Sequence, residues 1–200
     1  IFIDGGDGAD AEFTTFMNTY RADLETWVDR GGCLLLNAAR YSGDVLDLGF
    51  GVALMQDYNF DGLAIDTSHP VFDGPFGFTG DTFAGDYLAH DSVAGDGITV
   101  LMKGEQGTAI LAEQTYGDGH VVFGGLTLPF FGENDFWSPN CGPFHRNLLV
   151  YASECADVTV KYSQPIDCEE GCWFSNLNSN LNPYVRYDDF VCNQTGEITE

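Results

Sequence analysis

The run Cys33-Leu34-Leu35-Leu36 constrains this chain more than any other stretch. It is apolar without alternation, so a strand built from it is covered on both faces, as in a parallel sheet flanked by helices. The preceding residues supply one such helix. Phe13, Phe16, Met17, Tyr20, Leu24, Trp27 and Val28 recur in steps of three and four and share one helical face. Asp10 is the expected N-cap, Glu12 suits the positive end of the helix dipole, and Gly31-Gly32 supplies a left-handed stop. Asn37-Ala38-Ala39-Arg40-Tyr41-Ser42-Gly43 then leaves the sheet at its carboxyl end. Open α/β sheets place ligands and catalytic residues there.

Charge narrows the partners. Seven Lys and Arg face 31 Asp and Glu, a formal net charge of −24 over 200 residues. Such a chain repels nucleic acid and anionic membranes and attracts cations. No stretch approaches the roughly 20 apolar residues that cross a bilayer, and no signal peptide is present. The chain opens on Ile1-Phe2-Ile3, already strand-like, which predicts a mature product or a piece of a longer polypeptide. Five of the six cysteines, Cys141, Cys155, Cys168, Cys172 and Cys192, are disulfide candidates, four of them crowding the last quarter. Cys168 and Cys172 have no nearby His, which argues against zinc. Asn193-Gln194-Thr195 is a glycosylation sequon. These features predict an extracellular or cell-surface setting.

Along the chain, Asp44 to Leu54 reads as a weak helix broken by Gly49 and Gly51. Asp57, Asn59 and Asp61, followed by Gly62, match the first half of an EF-hand calcium loop, but Ser68 stands where a bidentate Glu is expected. Ca2+ and an ordinary polar turn are both open there. Residues 75–97 read as a loop-rich insert whose aromatics form a satellite core, with His90 structural. Strands are expected over 98–102, 108–113 and 120–126, with an Asp-Gly turn at 116–119 that joins antiparallel strands. A loop over 127–143 overhangs the carboxyl end of the sheet, and a helix over 144–152 closes the domain. A boundary falls near 154, leaving 154–200 as a cysteine-stapled β/loop appendage or the start of a further module.

Four segments together resemble the class I glutamine amidotransferase-like superfamily, especially its ThuA-like and secreted branches. They are Trp27-Val-Asp-Arg-Gly-Gly-Cys-Leu-Leu-Leu36, His69-Pro-Val-Phe-Asp-Gly74, Tyr116-Gly-Asp-Gly-His-Val-Val-Phe-Gly124 and the closing helix. The resemblance covers residues 1–153. It implies an α/β fold, a flavodoxin-like three-layer sandwich with a mostly parallel sheet, whose first strand and helix lie upstream of Ile1. Active members carry Cys in a Gly-x-Cys-x-Gly elbow, where this chain has Asn37-Ala38-Ala39-Arg40. The family's His is missing from Leu126-Thr127-Leu128. Cys33 and His120 begin their strands, at the wrong edge. Ser42 and His145 are the nearest substitutes, and neither completes a nucleophile–base pair.

Three functions follow as expectations. The first is a non-catalytic structural or adhesive module of a larger secreted or cell-surface protein. It would need no cofactor, and its partners would be other copies or modules of that protein, or surface glycans. The second is a sugar-like ligand domain in which Asp4, Asn37, Arg40 and Tyr41 line the crevice and Trp137 forms a stacking wall. The third is a hydrolase with a metal-assisted site. A filled crevice favours the first, an open polar pocket the second, and clustered carboxylates with His the third.

Overall fold

The computed structural model describes residues 1–128 except 7 and 42, residues 140–154, and two short strands, Val191–Cys192 and Ile198–Thr199; side chains in those two strands and at position 86 are outside the description. The chain divides into two compact units, Ile1–Cys155 and Ala156–Glu200. In the second, the two short strands pair antiparallel.

The first unit is built on an eight-stranded sheet. Its strands are β1 (Phe2–Asp4), β2 (Cys33–Asn37), β3 (Leu46–Gly49), β4 (Val52–Ala64), β7 (Thr82–Gly95), β8 (Thr99–Gly104), β9 (Ala109–Tyr116) and β10 (Gly119–Gly124). A small separate hairpin joins β5 (Asp73–Gly74) to β6 (Gly77–Phe78). The order across the sheet is β1-β2-β10-β9-β8-β4-β3, with β7 paired to β4. Only β1–β2 and β2–β10 are parallel; the other pairings are antiparallel. The flavodoxin-like, mostly parallel sandwich is therefore wrong. The sheet is mixed and largely antiparallel: β3–β4, β8–β9 and β9–β10 are joined by tight hairpin turns where a parallel sheet needs helical crossovers.

The parallel corner follows the sequence closely. All five residues of β2 are buried. Leu34 and Leu36 enter one core with Val121 and Phe123 of β10, and Leu35 enters the other with Val122. This is the two-residue period of a strand covered on both faces. Helix α1 (Asp10–Asp29) covers the first core through Phe13, Met17, Leu24 and Val28. Helix α2 (Cys141–Ser153) covers the second through Phe144, Leu148 and Ala152. The buried stripe of α1 is narrower than its apolar face, since Tyr20 and Trp27 are exposed. Its N-cap is Ala9, without a side-chain cap; Asp10 is already helical.

The antiparallel part departs from the sequence reading. Residues 46–64 form a hairpin, so the weak helix expected over Asp44–Leu54 is wrong. Gly49, Phe50 and Gly51 all take positive φ, at 79°, 59° and 73°, and make its turn. Phe50 is buried, and its N–H donates to Glu25 Oε1 at 2.6 Å, which docks the turn on α1. Residues 82–95 form one long strand paired along β4, not a loop-rich insert.

Gly119 shows how closely α1 meets the β9–β10 hairpin. A Cβ there would collide with the carbonyl oxygens of Val28 and Gly32, both backbone atoms that cannot move aside. Gly119→Ala is expected to lower stability by roughly 1–3 kcal/mol, the usual cost of overpacking. Urea unfolding should show a lower midpoint with an unchanged slope.

Candidate functional site

Four of the crevice residues expected from the sequence do meet at the carboxyl end of β1, β2 and β10, but they bind one another or nearby protein groups. Asn37 is fully buried. Its Nδ2 donates to Asp4 Oδ1 at 2.9 Å and to the Leu126 carbonyl at 2.7 Å, and its Oδ1 accepts the Leu126 N–H at 3.0 Å. The amide therefore ties together the ends of β1, β2 and the segment after β10.

Arg40 is the larger correction. As a surface ion pair or a ligand contact it would be exposed; it is 1% exposed. Its guanidinium spans Asp91 of β7, with Nη2 at 2.6 Å from Oδ1 and Nε at 3.3 Å from Oδ2. Its own backbone N–H also donates to Oδ2, at 2.8 Å. Nη2 reaches the carbonyls of Asp44 and Leu54. Burial pushes the Asp91 carboxyl up from its ordinary value, while the side-chain and backbone bonds from Arg40 oppose that shift. Arg40 is thus spent on a buried salt bridge. Gly125 permits the close packing here, since a Cβ on it would collide with the Asp91 carbonyl oxygen.

Tyr41 alone of the four presents much of its side chain to solvent. Its N–H donates to Asp10 Oδ2 at 2.6 Å, and its ring lies 4.8 Å from that of His90. Trp137, Ser42, Cys155, Cys168, Cys172, Asn193 and the side chain of Cys192 lie outside the described residues. His145 lies in α2. Cys141 is buried in the first turn of α2 as a thiol, so its place among the disulfide candidates is corrected. Cys33, which had no such assignment, is disulfide-bonded.

The calcium residues are not in a loop. Asp57, Asn59 and Asp61 lie in the middle of β4. Asn59 is buried, with Nδ2 on the Asp57 carbonyl and Oδ1 accepting the Gln106 N–H. Asp57 accepts the Thr108 hydroxyl, and Asp61 accepts the Gly85 N–H at 3.4 Å. An extended strand cannot wrap its side chains around one ion as the twelve-residue loop does. Among the described residues no three His, Cys, Asp or Glu side chains are grouped to hold a metal.

A second polar cluster, missed in the sequence, lies at the opposite edge. Glu113 of β9 accepts the Tyr151 hydroxyl at 2.6 Å on Oε2 and faces His120 Nε2 at 3.1 Å. His69 Nε2 is 3.6 Å from Oε1. His69 Nδ1 accepts the Val71 N–H, which places the ring proton of the neutral tautomer on Nε2, toward the carboxylate. Burial works against the Glu113 charge, but the bonds from His120, His69 and Tyr151 outweigh it and hold the carboxyl well below its usual range. Burial and the Glu113 charge push the Tyr151 hydroxyl up, beyond the ordinary phenol value. A carboxyl held ionised cannot act as a general acid at neutral pH, and a phenol pushed up cannot act as a base. The cluster pins α2 to the sheet.

No known protein family's sequence model matches this chain, and no curated protein matches it. Solved structures with some likeness include a cytoplasmic protein from Salmonella typhimurium, with TM-score 0.48 and 17% identity over 76% of this chain and 70% of that one. An exo-β-1,4-mannosidase from an Opitutaceae bacterium gives TM-score 0.44 and 15% identity over 70% of this chain. A β-galactosidase from Bacillus circulans gives 0.41 and 13% over 76%. This chain spans 23% of the mannosidase and 21% of the galactosidase.

Two outcomes test this account. Arg40→Met or Asp91→Leu alone is expected to cost about 3–5 kcal/mol in denaturant unfolding, because each strands a buried charge, while the double variant recovers most of the loss. The Glu113 carboxyl has a folded-state pKa below its ordinary 4.5. Its stabilisation is therefore fully present above about pH 4.5 and is lost as pH falls below that toward the folded value. Unfolding curves of wild type and Glu113→Gln should differ at pH 6 and converge in strong acid.

Proposed function

We propose that the chain is a non-catalytic structural or adhesive module of a larger secreted or cell-surface protein. The observation that carries this reading is the internal bonding of Asn37 and Arg40. At the sheet end where the amidotransferase resemblance would put a nucleophile, Asn37, Arg40 and Asp91 spend their polar atoms on the protein itself. A side chain buried and turned inward onto protein partners is poorly placed to polarise or orient a substrate. The acidic composition and the disulfide at Cys33 suit an oxidising, saline exterior. The sugar-binding reading of the crevice loses Asn37 and Arg40 to internal bonds. The metal-assisted hydrolase has no grouped ligand set among the described residues.

The test has two parts. The mass of the polypeptide isolated from its source, intact and after reduction, is expected well above the 21.8 kDa of this chain. The purified chain is expected to hydrolyse chromogenic esters, amides and glycosides no faster than buffer. A turnover that Asn37→Ala abolishes without unfolding the protein would overturn the reading.

A further inference from the structure

Cys33 opens β2 and is disulfide-bonded. It is 5% exposed, so the fold itself brings its partner to it. Cys141 is a thiol, which leaves Cys155, Cys168, Cys172 and Cys192 as partners within the chain. The surroundings of Cys33 separate these four.

The strand decides which way Cys33 faces. Side chains alternate along β2, so Cys33 shares a face with Leu35 and opposes Leu34 and Leu36. Leu35 lies in the core that α2 covers, with Leu148 and Ala152, whereas Leu34 and Leu36 lie in the core under α1. Cys33 therefore points to the α2 side of the sheet. So does its register partner on β10, His120, which shares the face of Val122.

The direction of α2 decides which of its ends is near. Cys141 and Phe144, in its first turn, line a small apolar cavity with Leu126 and Leu128, just past the carboxyl end of β10. Tyr151, in its last turn, sets its ring 5.5 Å from that of His120, at the amino end of β10. α2 thus runs back along the sheet and finishes beside the residue that pairs with Cys33. Glu154 caps it, donating its N–H to the Val150 and Tyr151 carbonyls. Cys155 is next in the chain. It is the one cysteine of the four in the first unit, whereas Cys168, Cys172 and Cys192 belong to the second.

We infer that Cys33 is bonded to Cys155. The bond clamps the end of α2, the helix that covers the second core, to the middle strand of the parallel corner. It closes a loop of about 120 residues, long enough to restrict the unfolded chain strongly. In forming it the two thiols lose two protons and two electrons, and a disulfide oxidant such as glutathione disulfide is reduced to two thiols by exchange. Oxidising compartments supply that oxidant, so the clamp ties the stability of the first unit to such a compartment. The bond does not depend on the crevice being inactive, so this inference and the proposed function fail separately.

The test is a peptide map of the full chain, produced under oxidising conditions. Free thiols are alkylated in denaturant without reductant, and the chain is cut with trypsin. Cleavage after Arg and Lys places Cys33 in residues 31–40, Cys141 in 104–146, Cys155 in 147–161, Cys168 and Cys172 in 162–186 and Cys192 in 187–200. The expected species has the summed mass of 31–40 and 147–161 and separates into the two on reduction. Recovery of 31–40 alkylated, or joined to 162–186 or 187–200, would overturn the pairing. Cys155→Ser is expected to free Cys33 for alkylation and to lower the melting temperature by on the order of 10 °C. Adding Cys33→Ala to it should lower the melting temperature little further, because the bond is already gone. In dithiothreitol, wild type and Cys155→Ser should melt together. Equal melting temperatures without reductant would show that the bond clamps nothing and would sink that part of the inference.

Discussion

The salt bridge between Arg40 and Asp91 holds together two halves built on different rules. On one side is the parallel corner, where β2 lies between β1 and β10 and both faces carry a helix. On the other is the antiparallel set of β3, β4 and β7. Arg40 leaves β2 and reaches Asp91 on β7, the Leu54 carbonyl on β4 and the Asp44 carbonyl ahead of β3. Removing two charges from water is expensive, and their attraction repays it only when the remaining donors and acceptors are satisfied. Here three donors of one residue converge on one carboxylate. Hydrophobic contacts are non-directional, whereas this arrangement is satisfied in one geometry, which makes it a device for fixing how the halves meet.

Parts of this structure are legible in the sequence and parts are not, for identifiable reasons. α1 declares itself because it is long enough to show its 3.6-residue period, and β2 because a short unbroken apolar run after Gly31-Gly32 suits a strand covered on both faces. The segment Asp44–Leu54 reads as a weak helix because Gly49 and Gly51 punctuate either a poor helix or a tight turn. The deciding signal is the two-residue alternation of Leu46, Leu48, Phe50, Val52 and Leu54, all buried. Asp57, Asn59 and Asp61 mislead for a related reason: alternate positions serve a calcium loop and one face of a strand equally well. The Asp-Gly turn at 116–119 signals antiparallel pairing at the sequence level, and β9 and β10 pair that way. The motifs behind the amidotransferase resemblance are short strand and turn segments, which fit more than one topology.

The site residues divide the same way. The sequence locates Asn37, Arg40 and Asp4 at the carboxyl end of the parallel strands, but does not reveal their internal bonding. Arg40 looks like a surface residue because it is charged, and nothing local links it to Asp91, 51 residues later. Glu113, His69, His120 and Tyr151 come from four separate segments, and only the folded sheet and α2 bring them together.

The pairing of β2 with β10 has a kinetic consequence. Asn37 and Leu126, bonded to each other, are 89 residues apart in the chain. The hairpins of β3 with β4 and of β9 with β10 close short loops and can form within microseconds. The parallel contact must wait for a large loop to close, and its entropy is lost before the contact rewards it. Until then the apolar run Cys33–Leu36 lacks its β10 neighbour and the helical cover on that side. The chain should therefore fold in a fixed order, hairpins first and the parallel corner last, and its most aggregation-prone segment is the one whose partner arrives latest in synthesis.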